Sequence, residues 1–219
     1  MDRVGADFEN CIEMMRKKLS AVPVAIQLPL GKEGEFEGVI DLVKMKVYRY
    51  DEETLGAKVI EEDIPASILD EVQEGREEML ESVVDFNDEL MQQILEGISP
   101  DEKIIKEAIR GGVIGNKICP VLCGSAFKNK GIQQLIGAIC DYLPSPEDRG
   151  AVKGADPVKN VAIERFPDQN DPFSALVFKI ATDSHVGKLS YVRVYSGKAG
   201  FKDSFFNPRT KAREKVTRI

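Results

Sequence analysis

Two segments of this 219-residue chain have residue types and positions suited to binding a ligand. The first is the opening Met1-Asp2-Arg3, in which a carboxylate stands shortly before a helical pattern. The second is the loop Gly124-Ser125-Ala126, which follows a short apolar run and precedes another helical pattern. Loops at the carboxyl ends of strands in α/β sheets commonly carry ligands. These two segments, Met1-Asp2-Arg3 and Gly124-Ser125-Ala126, are the features that rise above the background of the sequence.

The common phosphate-binding and zinc-protease motifs are absent, since the sequence contains no G-x-x-x-x-G-K-[ST], G-x-G-x-x-G or H-E-x-x-H. Cys119 and Cys123 are spaced like metal ligands, but the second half of a four-ligand site is missing, so core thiols are the favoured interpretation. The single histidine, His185, has no visible nucleophile as a partner. We therefore expect no catalytic residue and no metal site. The low cysteine density favours a reducing, cytoplasmic compartment.

Charge is distributed unevenly along the chain, although the net charge is only -7. Residues 51–99 contain 16 Asp or Glu against 2 Lys or Arg, whereas residues 172–219 contain 10 Lys or Arg against 3 Asp or Glu. We therefore expect the acidic and basic blocks to meet different partners. Apolar runs are too short to span a bilayer, so no membrane contact is expected.

Periodicity predicts the elements that position these residues. The predicted helices cover residues 6–19, the acidic block from Pro65 to Phe86, residues 88–96, the residues after a capping box at Ser99–Glu102, and residues 132–142. Three strand patterns between residues 23 and 50 indicate a small antiparallel sheet. Residues 118–142 are typical of a strand, loop and helix of an α/β sheet. Residues 147–171 are predicted to be a linker, and short alternating segments in residues 172–219 indicate part of a β-barrel.

Five longer strings carry a resemblance to a known family. They are Asp2-Arg3-Val4-Gly5-Ala6-Asp7-Phe8, Asp41-Leu42-Val43-Lys44-Met45-Lys46, Cys123-Gly124-Ser125-Ala126-Phe127-Lys128-Asn129-Lys130-Gly131, Asp141-Tyr142-Leu143-Pro144-Ser145-Pro146 and Val192-Arg193-Val194-Tyr195-Ser196-Gly197. In this order, and over nearly the whole chain, they resemble bacterial translation elongation factor G. The first and third strings also resemble two guanine-recognition motifs of GTPases: the end of N-K-x-D, and the Ser-Ala loop.

The resemblance implies an α/β fold in which residues 1–146 are the C-terminal part of a P-loop GTPase-type domain. An α+β subdomain would be inserted at about residues 20–116. After the linker at 147–171, residues 172–219 would begin an all-β barrel, truncated at its end. The family's P-loop, switch segments and Mg²⁺ ligands have no counterpart in this sequence, so we expect the chain alone not to hydrolyse GTP.

The resemblance also assigns the candidate residues to GTP or GDP. The Asp2 carboxylate would accept two parallel hydrogen bonds from the guanine N1–H and exocyclic amine. The loop at Ser125 and Ala126 would present a backbone N–H to guanine O6, and Lys128 would pack near the base. The alternative for Asp2 is a frayed, solvated terminal residue.

The partners implied by the resemblance are those of a ribosomal translocase. Glu81, Asp85 and Asp88, spaced i, i+4 and i+7, are expected to line one helical face that docks the C-terminal domain of the ribosomal stalk protein. The alternative is an ordinary solvated helix face. The basic segment is expected to contact ribosomal RNA phosphates or to be merely solvated. Its candidate residues are Lys188, Arg193, Lys198 and Arg218.

Two other functions remain open at this stage. The first is a paralogous translational GTPase with the same domains, such as a ribosome-protection or release-factor GTPase. The second is a non-enzymatic docking module for the ribosomal stalk. We expect the chain to be a monomer in either case.

Overall fold

The computed structural model describes residues 1–51, 54–156, 159–185 and 187–219. The chain has a mixed α/β fold with several small sheets. It divides into two compact units, Met1–Leu143 and Pro144–Ile219. No helix in the described ranges is long and apolar enough to cross a bilayer.

A four-stranded antiparallel sheet organises the first unit. Its strands are β2 (Gln27–Leu30), β3 (Gly38–Asp41), β4 (Lys46–Tyr50) and β5 (Val59–Glu62), in the order β2-β3-β4-β5. The small antiparallel sheet expected from the sequence is therefore present. Its fourth strand, β5, lies in the acidic block and was not anticipated. In this meander the β2–β3 and β4–β5 loops emerge at the same end of the sheet.

The central strands β3 and β4 have buried side chains on both faces of the antiparallel sheet. Val39 and Tyr48 pack with Phe8 and Ile12 of helix α1 (Phe8–Leu19) in one core cluster. Ile40, on the other face, belongs to a larger cluster. That cluster includes apolar residues of helices α2 (Leu69–Val83), α3 (Asp88–Leu95) and α4 (Glu102–Ile114).

Local capping sets the starts of these helices. The side chain of Asp7 accepts a hydrogen bond from the Asn10 N–H at 2.9 Å, which caps α1. Helix α4 is capped by Asp101, whose carboxylate accepts from the Lys103 N–H at 3.2 Å. The capping box predicted with Ser99 as its first residue is therefore wrong. The aspartate two residues later accepts the hydrogen bond instead.

A parallel pair of strands frames the antiparallel sheet in sequence. Strand β1 (Pro23–Ala25) pairs in parallel with β6 (Cys119–Val121), in register Pro23↔Cys119. Helix α5 (Ile132–Tyr142) follows β6, which confirms the predicted strand, loop and helix. Strand β1 lies within the segment expected to be an inserted subdomain, at about 20–116. Along the chain, the antiparallel sheet and helices α2–α4 therefore come after the first strand of this parallel pair and before the second.

The apolar face of α5 is not buried. Ile136 is 58% exposed, and Leu135, Ile139 and Leu143 are also exposed. The sequence pattern correctly gives the helix and its apolar stripe. The stripe, however, does not pack into the core of the first unit.

The second unit consists of a short helix and three antiparallel strand pairs. Helix α6 (Pro146–Arg149) precedes the pairs β7 (Val152–Ala155) with β8 (Ala162–Arg165), β9 (Ser174–Asp183) with β10 (Gly187–Ser196), and β11 (Ser204–Asn207) with β12 (Ala212–Lys215). Strand patterns predicted in residues 172–219 are thus present, without a closed barrel among the described residues. Residues 147–171, predicted to be a linker, contain most of α6 and the β7–β8 pair.

Candidate functional site

The first residue of the chain is anchored through both its amino group and its carbonyl oxygen. The amino group of Met1 donates a 2.7 Å hydrogen bond to the Gly124 carbonyl oxygen. The Met1 carbonyl oxygen accepts from the Glu33 N–H at 3.0 Å. The alternative of a frayed, solvated terminus does not describe this arrangement. Asp2 is instead held beside the loop that begins at Gly124.

The Asp2 carboxylate lies next to Ser125, the residue that the sequence analysis paired with it. Only 13% of the Asp2 side chain is exposed. Hydrogen bonding by the Ser125 side chain is the main cause that holds the pKa of Asp2 below its ordinary value, with smaller contributions from the terminal ammonium and Lys128. The carboxylate is therefore ionised at neutral pH and remains a hydrogen-bond acceptor.

A tight turn shapes the second segment of the site. The N–H groups of Ser125 and Lys130 each donate to the other's carbonyl oxygen, at 2.8 and 2.9 Å. The Ser125 side-chain oxygen accepts from the Lys128 N–H at 3.3 Å. Ser125 is buried, whereas Ala126, Phe127 and Lys128 are exposed at the tip of the turn. The turn therefore holds the serine inward and presents the next three residues outward.

The exposed tip offers a free donor to a ligand. Within the described parts of the chain, the Ala126 N–H donates to no protein acceptor. Phe127, beside it, is 90% exposed. The site thus combines an ionised carboxylate acceptor, a free backbone donor, a cationic side chain and an exposed aromatic ring. Phe127 is not among the binding residues predicted from the sequence, although an aromatic residue beside a polar turn could have indicated it.

Both loops at one end of the antiparallel sheet support this site. From the β2–β3 loop, the Phe36 carbonyl oxygen accepts from the buried Lys130 ammonium at 3.0 Å. From the β4–β5 loop, the Leu55 carbonyl oxygen accepts from the Asn129 side-chain amide at 3.0 Å. Sequence reasoning missed these supports, because they join residues that are far apart in the chain.

The predicted acidic face differs from the observed one. Glu81 lies on α2, which ends at Val83, whereas Asp85 lies in a short 3-10 turn and Asp88 begins α3. The backbone is extended at Asn87, which caps α3. The prediction that Glu81, Asp85 and Asp88 share one helical face is therefore wrong, because the helix ends between them.

Helix α2 nevertheless carries an acidic stripe of its own. Its members are Glu74, Glu77, Glu78 and Glu81, all exposed. They lie opposite the buried residues Val72, Met79 and Val83. In the described ranges no ion pair involves the carboxylates of this stripe. The stripe is thus an uncompensated negative surface.

The one arginine of α2 does not offset the acidic stripe. The guanidinium of Arg76 points inward and donates to the carbonyl oxygens of Leu42 and Val43, at 2.5 and 2.9 Å. It thereby ties α2 to the turn between β3 and β4. The stripe is held on a fixed helix, and its charge stays unpaired.

The basic candidates of the second unit are exposed but do not form one surface. Lys188 and Arg193 both lie on β10, five residues apart, so they point to opposite faces of the β9–β10 ribbon. Lys198 and Arg218 lie outside the strands and are also exposed. The described part of this unit therefore spreads its positive charge over both faces.

The two cysteines spaced like metal ligands differ in burial. Cys123 is buried, and burial raises the pKa of its thiol to about 12. Cys119 is exposed, so its prediction as a core thiol is wrong. No group of three or more potential ligands occurs among the described residues. His185 lies in the β9–β10 turn, where its backbone N–H donates to the Asp183 carboxylate at 2.8 Å.

This chain is similar to a protein of known structure. No family model matches the chain. A crystal structure of a protein from Thermus thermophilus is similar over 97% of this chain, with 27% sequence identity and a TM-score of 0.71. The similar region covers 28% of the Thermus chain, so our chain spans less than a third of that protein.

Proposed function

We propose that this chain is the guanine-recognising part of a translational GTPase similar to bacterial elongation factor G. In such a protein, residues 1–146 form the C-terminal part of the GTPase domain, and residues 172–219 begin a β-barrel domain. The chain's own contribution is recognition of the base of GTP or GDP. In the larger protein, hydrolysis on the ribosome drives movement of tRNA and mRNA, and the phosphate and Mg²⁺ contacts come from other segments.

The observation that carries this proposal is the juxtaposition of Asp2 with the Ser125 turn. These two segments are far apart in sequence, yet the Met1–Gly124 hydrogen bond places them side by side. They are also the two segments that resemble the guanine-recognition motifs of GTPases. Agreement between motif and geometry favours this function over an unrelated α/β protein.

The chemistry of the site fits guanine and disfavours adenine. Guanine offers two donors, N1–H and the 2-amino group, side by side to the Asp2 carboxylate, and an acceptor at O6 to the free Ala126 N–H. Adenine presents an unprotonated N1 toward the carboxylate and an amino group toward the N–H. Lys128 is exposed at the tip of the turn, and we propose that its side chain packs along the base.

The exposed stripe of α5 is consistent with a larger domain. An isolated helix gains little from an apolar face in water. The β1–β6 pair is also a two-stranded parallel sheet, and parallel sheets are normally covered on both faces. A GTPase domain that adds strands and helices beside β6 and α5 would bury both features.

Competition binding tests the proposed function. A fluorescent GDP analogue is titrated with the chain at millimolar concentration, because the phosphate contacts are not supplied here. Unlabelled GDP should displace it at least about tenfold more effectively than ADP, since hydrogen bonds to a charged acceptor contribute about 1.5–3 kcal/mol. Equal displacement by GDP and ADP would refute base recognition.

A docking role for the acidic stripe is a second proposal, favoured by its unpaired carboxylates. Like charges at helical spacing repel one another, and a basic partner relieves this repulsion. In elongation factor G the inserted subdomain contacts the C-terminal domain of the ribosomal stalk protein. We propose that the stripe formed by Glu74, Glu77, Glu78 and Glu81 makes that contact here. A docking module without catalysis remains a candidate for the isolated chain.

The assignment to a translocase rests on the resemblance strings, and a paralogous ribosome-protection or release-factor GTPase is the alternative within the same class. The exposed basic residues of the second unit are proposed to meet ribosomal RNA phosphates, without base-specific contacts. Because Lys188 and Arg193 lie on opposite faces of the β9–β10 ribbon, only one of these two can contact a given RNA surface.

A further inference from the structure

One residue of the β2–β3 loop holds both ends of the segment that carries Asp2. The Glu33 N–H donates to the Met1 carbonyl oxygen at 3.0 Å. The Glu33 carboxylate accepts from the Gly5 N–H at 2.7 Å. Asp2 therefore lies within a short segment whose two ends are hydrogen-bonded to a single glutamate of the β2–β3 loop.

The same loop also fixes the second half of the site. The Phe36 carbonyl oxygen, three residues after Glu33, accepts from the buried Lys130 ammonium at 3.0 Å. Lys130 in turn forms two backbone hydrogen bonds with Ser125. The β2–β3 loop is thus a common support for Asp2 and for the Ser125 turn.

Glu33 makes these contacts from a backbone conformation that is unfavourable for glutamate. Its φ is +55°, in the left-handed region that glycine enters at the lowest cost. Gly31, two residues earlier, has a φ of +78°, and a Cβ there would lie 2.1 Å from the Glu35 carbonyl oxygen. A turn of this kind alone would suit glycine better at position 33. Glutamate at this position adds a carboxylate that reaches the Gly5 N–H.

We propose that Glu33 is a positioning residue for guanine recognition, which sets the affinity of the site by holding the Asp2 segment in place. This inference rests on the proposed function of the site. Two parallel hydrogen bonds to guanine require a fixed carboxylate, and a side chain that must first be ordered on binding lowers the affinity. Loss of the Glu33 contact should therefore weaken GDP binding about 3- to 10-fold.

Substitution of Glu33 by glycine separates positioning from loop conformation. Glu33→Gly relieves the left-handed backbone but removes the carboxylate, so the loop is kept and the contact with Gly5 is lost. Glu33→Gln keeps a side-chain oxygen acceptor at the same reach. Glu35→Ala is the matched control, because Glu35 lies in the same loop, carries the same charge and is exposed.

The experiment measures two quantities by NMR on the labelled chain: hydrogen exchange of the Gly5 amide without nucleotide, and the dissociation constant of GDP. For Glu33→Gly we expect faster Gly5 exchange and 3- to 10-fold weaker GDP binding. Glu33→Gln should restore most of both, and Glu35→Ala should change neither. Faster Gly5 exchange with unchanged GDP affinity would overturn the positioning role alone. Absence of GDP binding by the unmodified chain would instead refute the guanine site itself.

Discussion

The amino group of Met1 and the carbonyl oxygen of Gly124 are joined by a 2.7 Å hydrogen bond across 123 positions of the chain. The next residue after each partner is a candidate base-contacting residue, Asp2 in one segment and Ser125 in the other. The bond therefore aligns two segments that are remote in sequence. The ligand site depends on this tertiary contact and on the sheet loops behind it.

Removal of the Ser125 hydroxyl should raise the pKa of Asp2, because hydrogen bonding by Ser125 is the main cause of its lowered value. A lowered carboxyl pKa stabilises the fold above the unfolded-state pKa of about 3.9, and this contribution is lost as the pH falls through the folded-state pKa. Ser125→Ala should therefore show a smaller loss of stability between neutral pH and the acid range. Carbon-13 NMR titration of the Asp2 carboxyl measures the shift directly.

Ser82→Ala is the control for this prediction. The Ser82 hydroxyl also makes a hydrogen bond, to the Glu78 carbonyl oxygen on α2, but it has no contact with the site. The Asp2 titration should be the same in this variant as in the unmodified chain. An unchanged Asp2 titration in Ser125→Ala would contradict the role assigned to Ser125.

Two charge reversals on α2 should weaken binding of a basic partner. Glu77→Lys with Glu81→Lys reverses half of the acidic stripe, and we expect at least about a tenfold loss of affinity for the stalk protein's C-terminal domain at low salt. Exposed charges are screened within about 8–10 Å at physiological ionic strength, so the loss should shrink as salt is added. Isothermal titration calorimetry at two salt concentrations measures both effects.

The matched comparison uses the residues first expected to share a face with Glu81. Asp85→Lys with Asp88→Lys makes the same change in net charge but lies outside α2. It should reduce affinity less than the α2 pair does. Equal losses for the two pairs would mean that the partner responds to overall charge, and no loss for either pair would remove the docking proposal.

Truncation of Leu90 should destabilise the first unit, whereas truncation of Leu95 should have little effect, although both residues lie on α3. Leu90 is fully buried, whereas Leu95 is 81% exposed. Leu90→Ala should lower the free energy of unfolding by about 2–5 kcal/mol. Leu95→Ala should change it by no more than about 0.5 kcal/mol. Urea unfolding followed by circular dichroism distinguishes the two, and similar losses would contradict the assigned packing.

The sequence predicts local structure well where one pattern decides it. The bounds of α5, at Ile132–Tyr142, follow from its apolar spacing and from Gly131, which has a φ of +89°. Helical spacing gives a wrong prediction for Glu81 and Asp88, because a shared face requires one helix that runs through Asn87. Asparagine is a preferred first cap of a new helix, and its extended backbone ends the face.

Tertiary contacts explain what the sequence could not predict. The role of Glu33 depends on the β2–β3 loop meeting Met1 and Gly5, and neither spacing nor composition encodes that meeting. Exposure of the α5 stripe is a similar case, since an apolar face indicates that a helix can pack but does not specify its neighbour. Motifs in the sequence predict the candidate ligand residues, whereas only the tertiary structure shows the hydrogen bonds that hold them in place.

The most direct measurement is an NMR titration of the nitrogen-15-labelled chain with GDP and with ADP, repeated for Asp2→Ala. The guanine-site account predicts that GDP shifts the amide signals of Ala126 and Lys128, that ADP shifts them at least about tenfold more weakly, and that Asp2→Ala removes this difference. Identical responses to GDP and ADP in the unmodified chain, or an undiminished preference for GDP in Asp2→Ala, would contradict it.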